Sequence, residues 1–254
     1  MPISDSISRF SSRVENYIRY RPGYPPAILE LLKSECGLAP DSVIADIGSG
    51  TGKLSEIFLK NGNRVFAVEP NPNMRQAGEK YLAGYPGFIS VEGAAEATTL
   101  AAQSINFVTA GQAAHWFDPE QARREFVRIL KPRGWAVLAW NDRCMQGPFL
   151  EEYERLLMTY GTDYEEVSHE HTSARIEGFF PGWTFHERRF PMSQQFDYEG
   201  LKGRLLSSSY TPQEGDAKYE LMLAELRRIF AKYKERGRVL FEYETQVFYG
   251  QLSA

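Results

Sequence analysis

The chain contains only two cysteines in 254 residues, Cys36 and Cys144, and they lie far apart. This spacing excludes a disulfide framework and a zinc knuckle, and it favours a reducing compartment. No stretch approaches the roughly 18 apolar residues of a membrane-spanning helix, and the first residues lack the apolar segment of a signal peptide. We therefore expect a cytoplasmic protein that has no membrane partner.

The sequence also lacks an excess of basic residues. Lys and Arg number 29 against 33 Asp and Glu, which leaves a formal net charge of −4. Proteins that bind the phosphate backbone of nucleic acids usually carry a basic stripe, whereas here basic residues occur in short pairs such as Arg123–Arg124. We expect no nucleic-acid partner. The 43% hydrophobic and 24% charged residues indicate a globular protein, and the length of 254 residues suits one large domain or one domain with a modest insertion.

Short apolar runs alternate with helical apolar patterns through the first half of the chain. The runs predict buried strands at 43–47, 64–69, 88–91, 105–109 and 135–140. Strands that alternate with helices are typical of a parallel sheet with right-handed crossovers. The sequence therefore predicts an α/β fold with a doubly wound core.

The regions on either side of this core carry weaker patterns. Apolar spacing predicts a helix at 27–36, and strict alternation from Phe241 to Tyr249 predicts a final strand with one polar face. The predicted organisation is an N-terminal helical segment at 1–40, a core at 41–141 completed by strands near 183–190 and 240–250, and a helical cap at 142–182 and 195–236.

A glycine-rich segment, Asp46–Lys53, lies where the first strand turns into a helix. The dinucleotide fingerprint needs a sixth-position glycine, and that position is Lys53. A Walker loop needs glycine at Ile47 and Ser or Thr at Leu54. Neither phosphate-binding motif is therefore present.

Two acidic residues stand beside this loop in the predicted core. Asp46 directly precedes the glycines, where its charge would repel a pyrophosphate but attract an ammonium group. Glu69 ends the second strand, where a carboxylate can accept hydrogen bonds from both hydroxyls of a ribose. The pattern favours a nucleoside joined to a cationic, amino-acid-like tail.

These residues, with Pro70, Met74 and the Glu92–Glu96 stretch, resemble the class I S-adenosylmethionine-dependent methyltransferases over residues 10 to 141. The resemblance implies a Rossmann-like, seven-stranded, mainly parallel sheet with an antiparallel last strand. It also implies S-adenosylmethionine as the cofactor and S-adenosylhomocysteine as its product.

More narrowly, two further stretches, Tyr20–Pro25 and Gly111–Phe117, are similar to type 11 and type 25 small-molecule methyltransferases of the trans-aconitate methyltransferase-like group. The resemblance places Gly48 and Gly50 at the methionine part, Asp46 near its ammonium group and Glu69 at the ribose. The implied cofactor-binding residues are Asp46, Gly48, Ser49, Gly50, Glu69, Pro70, Met74, Ala95, Glu96, Ala110 and Gln112.

Within that set, Ala95 and Glu96 are expected at the adenine edge, where Met74 also packs. The chain has Ala94 where family members frequently carry Asp, so this part departs from the family pattern. The carbonyl near Ala110 is expected to meet the ammonium group, and Gln112 to follow it into the active site.

Methyl transfer from a sulfonium is an in-line displacement that requires no metal. The candidate catalytic residues are His115, Trp116 and Arg21. His115 is either a general base or a residue that packs beneath the aromatic pair, and Arg21 either clamps a carboxylate or lies on the surface. We expect a small-molecule acceptor, either a carboxylic acid or a phenol, and a monomer or homodimer.

Alternatives from other classes remain open at the level of sequence. One alternative is an NAD(P)-dependent oxidoreductase, since such enzymes share the predicted fold and the acidic residue at the end of the second strand. The other is a catalytically degenerate S-adenosylmethionine-binding protein. His169, His171 and His186 lack a convincing set of partner ligands, so we expect no metal site.

Overall fold

A computed structural model describes residues 14–162, 164, 176, 178–180 and 184–252. The described residues form a seven-stranded sheet in the order β3-β2-β1-β4-β5-β7-β6. Its strands are β1 (Val43–Ile47), β2 (Arg64–Val68), β3 (Phe88–Val91), β4 (Ile105–Gly111), β5 (Leu130–Arg143), β6 (His186–Phe196) and β7 (Val239–Gln251). Strands β1 to β5 are parallel, and β7 runs antiparallel to both β5 and β6. The predicted α/β class and the antiparallel last strand are confirmed.

The described helices are α1 (Val14–Tyr20), α2 (Ala27–Cys36), α3 (Ser55–Lys60), α4 (Pro72–Leu82), α5 (Pro119–Ile129), α6 (Pro148–Tyr160), α7 (Tyr198–Leu206) and α8 (Tyr219–Tyr233). Three of these helices begin directly after a residue whose side chain caps the first turn. The side chains of Asn71, Asp118 and Asp197 accept hydrogen bonds from the first free amides of α4, α5 and α7. Proline follows the first two caps, in the position where its missing N–H costs nothing.

Two apolar layers cover the faces of the sheet, as a doubly wound core requires. Alternate residues of β1 serve the two layers: Ala45 and Ile47 pack on one side with Phe126, whereas Ile44 packs on the other with Ile28. Because both faces of the central strands are buried, these strands read in the sequence as continuous apolar runs.

The helical cap has an apolar cluster of its own. Leu156, Leu201 and Leu226 from α6, α7 and α8 pack against Phe241 and Tyr243 at the start of β7. The cap is therefore built on the same strand that completes the sheet. This shared strand fixes the position of the cap at one end of the core.

The last strands are longer than the apolar patterns predict. β5 continues to Arg143 and β6 to Phe196, and both stay paired with β7 along this extension. The reason is that β6 is an edge strand whose outward side chains are polar, so backbone hydrogen bonds rather than apolar runs define its length.

Candidate cofactor and active site

A cleft opens at the carboxyl ends of β1, β2 and β4. The strand order reverses beside β1, since β2 lies on one side of it and β4 on the other. In open α/β sheets, ligands bind in the crevice at such a switch point. The fold therefore places a ligand cavity where the predicted site residues follow their strands.

The cleft brings most of the predicted residues together. Those that line it are Arg21, Asp46, Gly48, Ser49, Gly50, Glu69, Pro70, Met74, Ala95, Glu96, Gln112 and Trp116. His115 and Ala110 are not among the lining residues: Ala110 is buried within β4, and His115 lies beside the cleft.

The glycine loop after β1 needs residues without a side chain. Gly48 and Gly50 have φ of +64° and +57°, a region that L-residues rarely adopt. A Cβ at Gly48 would lie 2.7 Å from the Cβ of Ala113, and one at Gly50 would lie 3.3 Å from the Cε of Met74. Glycine here lets the loop pass close to the neighbouring turn and to α4, and it leaves room for a ligand against the backbone.

Thr51 lies in the glycine loop and lines the cleft, although the sequence motif did not indicate it as a site residue. Its side chain is buried, and its Oγ1 makes no hydrogen bond within the described part of the chain. Buried polar atoms normally have a partner. A polar ligand in this loop would supply one, and the amino-acid end of S-adenosylmethionine has the required donors and acceptors.

Glu69 connects the loop to the next helix. One carboxylate oxygen, Oε2, accepts from the Gly50 amide at 2.8 Å, and Oε1 accepts from the Asn71 amide at 2.8 Å. The residue is 7% exposed, and burial raises its pKa, with the two amide hydrogen bonds opposing that shift. Each oxygen retains a further lone pair, so the carboxylate can also accept from the hydroxyls of a ribose.

Asp46 lies fully buried beneath the loop. Its Oδ2 accepts from Ser55 Oγ at 2.6 Å, and its Oδ1 accepts from Thr109 Oγ1 at 3.1 Å. Burial raises the pKa of Asp46 from its usual 3.8 to about 6, although these hydroxyls favour the charged form. An ammonium group nearby would stabilise this desolvated carboxylate.

The other loop-side residues hold the cleft in shape. The Ser49 amide donates to the carbonyl of Val68 at 3.1 Å, which joins the loop to β2. Glu96 accepts from the amide of Asp118 at 2.8 Å, just before α5. This bond places Glu96 at the rim, beside Ala95 in the cleft wall.

An aromatic turn forms another wall. Ala114–Trp116 is a single 3-10 turn, and the Trp116 and Phe117 side chains line the cleft. Phe117 packs edge-on against Phe126, with ring centroids 6.4 Å apart, so the turn is anchored in the core. His115 packs against Trp116 at 4.8 Å between ring centroids.

Asn141 is a site residue that the sequence patterns missed. Its Nδ2 donates to the Gly23 carbonyl at 2.9 Å, and its Oδ1 accepts from Thr245 Oγ1 at 2.6 Å. Gln112, with φ of +54°, donates from Nε2 to the Asn141 carbonyl at 2.9 Å. Asn141 therefore ties the segment between α1 and α2 to the carboxyl end of β5.

The same segment brings Tyr24 over the cleft. A Cβ at Gly111 would lie 2.4 Å from the Tyr24 hydroxyl oxygen, so the glycine at the end of β4 is required by this ring. Tyr17 of α1 and Arg204 of α7 complete this side, and the patterns in the sequence indicated neither residue. The cleft is thus covered by N-terminal and cap residues together.

The histidines give no metal site in the described part of the chain, where no group of three or more His, Cys, Asp or Glu side chains is placed to hold an ion. His186 is exposed on β6, with its ring 5.3 Å from that of Tyr249. His169 and His171 lie outside the described residues. Among the described helices, none is both long and apolar enough to span a membrane.

Comparison with known proteins agrees with this geometry. Residues 45–138 match the family model described as a methyltransferase domain. An uncharacterized methyltransferase-like protein of Schizosaccharomyces pombe is 28% identical over 249 residues, which cover 95% of this chain and 94% of that protein. An uncharacterized methyltransferase of Mycobacterium tuberculosis is 37% identical over 134 residues, 53% of this chain and 52% of that protein.

Among solved structures, a candidate type II methyltransferase from Anaeromyxobacter dehalogenans has the same fold. Its TM-score is 0.69 at 20% identity, over 92% of this chain and 100% of that chain. The matched family region contains the glycine loop, Glu69 and the aromatic turn, and the fold extends across the cap. Residues 45–138 therefore match a methyltransferase domain, and the chain as a whole shares the fold of a solved methyltransferase.

Proposed function

We propose that this enzyme transfers a methyl group from S-adenosylmethionine to a small-molecule acceptor by in-line displacement. The observation that carries the proposal is one continuous cleft, whose lining runs from the glycine loop to Arg21 and Arg204. Small-ligand sites are typically concave clefts of this kind, with a few polar groups among apolar walls. Cover from α1, the segment after it and α7 favours a small acceptor over a macromolecule.

The donor half of the cleft holds the cofactor through this chain's own groups. S-adenosylmethionine, when bound, supplies an electrophilic methyl group on a sulfonium. Asp46 and the loop glycines would hold its amino-acid end, Glu69 would accept from its ribose hydroxyls, and Met74 would pack on its adenine. The unpartnered Thr51 hydroxyl supports this placement, since it adds a polar contact beside the loop.

The acceptor half is aromatic and partly basic. Trp116, Phe117, Tyr17 and Tyr24 form walls that exclude water, and Arg21 reaches the cleft from the end of α1. Holding the acceptor atom in line with the methyl group and sulfur can lower the barrier by about 7–11 kcal/mol through proximity and orientation. In this proposal these residues act mainly by positioning the acceptor, and no metal takes part.

His115 supports the aromatic wall through its contact with Trp116. A carboxylate or phenolate acceptor is already nucleophilic, so it needs no base. The role of His115 as a general base therefore stays a prediction. The cytoplasmic location is also part of the proposal, and it rests on the low cysteine content of the sequence.

The experiment is transfer of a labelled methyl group from S-adenosylmethionine to a panel of small carboxylic acids, phenols and amines, with products identified by mass spectrometry. We expect a methylated small molecule, and a strongly reduced rate for Glu69→Gln. Glu92→Gln is the matched control, since the Glu92 side chain is 78% exposed and pairs with Arg75 outside the cleft lining. Binding of S-adenosylhomocysteine without transfer to any acceptor would favour the degenerate binding protein instead.

A further inference from the structure

Arg204 is a buried arginine on the cap side of the cleft. It is 5% exposed and lines the cavity from α7. Its Nε donates to the Tyr243 hydroxyl at 3.0 Å, and its Nη1 donates to Ser208 Oγ at 3.3 Å. The guanidinium also lies 5.4 Å from the centre of the Phe241 ring. These contacts hold the charged group rigidly at the cleft.

Arg21 donates to the same Ser208 hydroxyl as Arg204. Its Nε donates to Ser207 Oγ at 3.0 Å, and its Nη2 donates to the Ser207 carbonyl at 3.2 Å and to Ser208 Oγ at 3.3 Å. Two guanidiniums from distant parts of the chain therefore share one hydroxyl oxygen. Their positive charges lie side by side where both residues line the cavity.

Neither arginine forms an ion pair with any carboxylate among the residues that the structure describes. Arg143 provides the contrast to Arg204, because it is also buried but bonds Glu154 and donates to the Tyr164 hydroxyl at 2.7 Å. Burial and the neighbouring Arg204 lower the pKa of Arg21, which reflects the cost of this arrangement. Buried charges are normally paired, so the buried Arg204 beside the partly buried Arg21, with no carboxylate partner among the described residues, suggests a ligand of opposite charge.

Both guanidiniums also retain donors for that ligand. The Nη1 group of Arg21 and the Nη2 group of Arg204 make no hydrogen bond to any residue in the described ranges. A guanidinium matches the planar oxygens of a carboxylate or the oxygens of a phosphate, and such charge-assisted bonds are among the strongest in proteins. Free donors on two charged groups are suited to one small oxyanion between them.

We infer that Arg204 and Arg21 form an oxyanion subsite that binds a carboxylate or phosphate group of the methyl acceptor. The inference rests on the proposed function, because the acceptor must enter this same cleft. It adds a specificity-determining residue, Arg204, and a charge class for the substrate. The alternative is that both arginines are purely structural. In that case Arg204 binds Tyr243 and so holds α7 to β7, and Arg21 binds the residues that follow α7.

The test is thermal unfolding of the full chain saturated with S-adenosylhomocysteine, with benzoate, phenyl phosphate or benzamide added. The aromatic walls justify aryl probes, and benzamide is the neutral match for benzoate. We expect at least one of the two anions to raise the melting temperature further, whereas benzamide does not. The preferred anion distinguishes a carboxylate acceptor from a phosphate acceptor.

Variants separate the subsite from a structural role. Arg204→Met keeps the side-chain length without the charge, and it should weaken the apparent affinity for the anion about tenfold or more, as loss of a charged hydrogen bond does. Arg204→Lys should restore part of that affinity if Arg204→Met fails to fold. Tyr243→Phe removes the structural partner and should keep the anion effect. Arg227→Met is the matched control, since Arg227 is an exposed arginine that stacks on Tyr198 outside the cleft lining.

The outcomes distinguish the two proposals. If S-adenosylhomocysteine stabilises the protein but neither anion adds to that effect, the subsite is overturned and the proposed function stands. Equal effects of benzamide and benzoate, or an unchanged benzoate effect in Arg204→Met, would also overturn the subsite. If S-adenosylhomocysteine itself gives no stabilisation, the proposed function is overturned, and the subsite, which rests on it, is overturned with it.

Discussion

At the scale of single residues, Glu69 has two tasks that a substitution can separate. Its two oxygens accept from the amides of Gly50 and Asn71, and the same carboxylate is the expected partner of the ribose hydroxyls. Glu69→Gln keeps one acceptor oxygen, whereas Glu69→Ala leaves both amides without their partner. Glu69→Gln therefore reports mainly on ligand binding, and the additional effect of Glu69→Ala reports on the stability of the loop.

We expect Glu69→Gln to weaken S-adenosylhomocysteine binding about 10- to 100-fold, the effect of losing charged hydrogen bonds worth about 1.5–3 kcal/mol. Glu69→Ala should add a loss of about 1–3 kcal/mol in the free energy of unfolding, because buried amides are left unpaired. Calorimetric titration and urea unfolding measure the two effects. Equal unfolding free energies for both variants would contradict the role of Glu69 in the loop.

Asp46 makes stability depend on pH in an unusual direction for a carboxyl group. Its pKa in the folded protein is about 6 and its usual value is 3.8, so between these values the folded state holds a proton that the unfolded chain has released. The contribution of this group to stability therefore falls as the pH rises from about 4 to about 6. Above that range the folded protein carries the full cost of a buried charge.

For Asp46→Asn we therefore expect greater stability than the unchanged protein above pH 6 and little difference at pH 4. The gain should be about 1–3 kcal/mol, since each pKa unit is worth about 1.4 kcal/mol and the loss of an acceptor oxygen offsets part of it. Affinity for S-adenosylhomocysteine should fall, because the ammonium partner is lost. Urea unfolding at several pH values checks the first expectation, and a parallel pH profile for both proteins would contradict it.

At the scale of secondary-structure elements, the contact between α1 and α7 determines how the cleft is covered. A Cβ at Gly203 of α7 would lie 2.0 Å from the ring of Tyr20, so the glycine is what allows α1 to pack there. Arg21 follows Tyr20 directly, and it bonds to Ser207 and Ser208 after α7. The position of the proposed oxyanion subsite therefore depends on this helix pair.

We expect Gly203→Ala to displace α1 from α7 and to lower the free energy of unfolding by about 1–3 kcal/mol, as overpacking typically does. The stabilisation by benzoate should fall further than the stabilisation by S-adenosylhomocysteine, because Arg21 moves with α1. Gly84→Ala is the control, since a Cβ there meets nothing within 4 Å and its φ is not in the left-handed region. Similar losses in both variants would contradict the proposed packing role.

Helices α6 and α8 are joined by charged side chains in addition to their apolar packing. Glu152 of α6 accepts from Arg228, from Lys232 and from the Tyr233 hydroxyl of α8, at 2.7, 2.5 and 2.8 Å. Hydrogen bonds from Lys232 and Tyr233 lower the pKa of Glu152 to about 2. This cluster links α6 to α8.

At the scale of the whole molecule, the sheet and the cap meet at the cleft and share β7. Strand β7 pairs with β5 in the sheet and contributes Phe241 and Tyr243 to the cap cluster. A ligand in the cleft therefore touches the glycine loop, the N-terminal segment and the cap at once. Binding should stabilise the whole fold and not a local segment.

S-adenosylhomocysteine at about a hundredfold its dissociation constant should add about 2.7 kcal/mol to the free energy of unfolding. For a chain of this size the melting temperature should rise by about 5–10 °C. NADH should leave it unchanged, since the loop lacks the third glycine of the dinucleotide fingerprint. A thermal scan with the two ligands in parallel measures this, and a shift with NADH alone would contradict the assignment of the cleft.

The amino-acid sequence by itself determined the side of the cleft that is proposed to hold the cofactor. Asp46, Gly48, Gly50 and Glu69 each lie within or directly after a strand whose apolar run is visible in the sequence. Since parallel strands end at the same edge of a sheet, recognising the strands was enough to bring these residues together. Their placement depends on local signals and on one topological rule.

Only the tertiary structure decided the acceptor half. Arg204, Tyr17 and Asn141 come from the cap, from α1 and from the end of β5, and no local pattern relates them. Arg21 meets Arg204 because α7 carries a glycine that admits α1 and because β7 fixes the cap on the sheet. Such juxtapositions arise from packing between segments far apart in the chain, which neither periodicity nor motif spacing encodes.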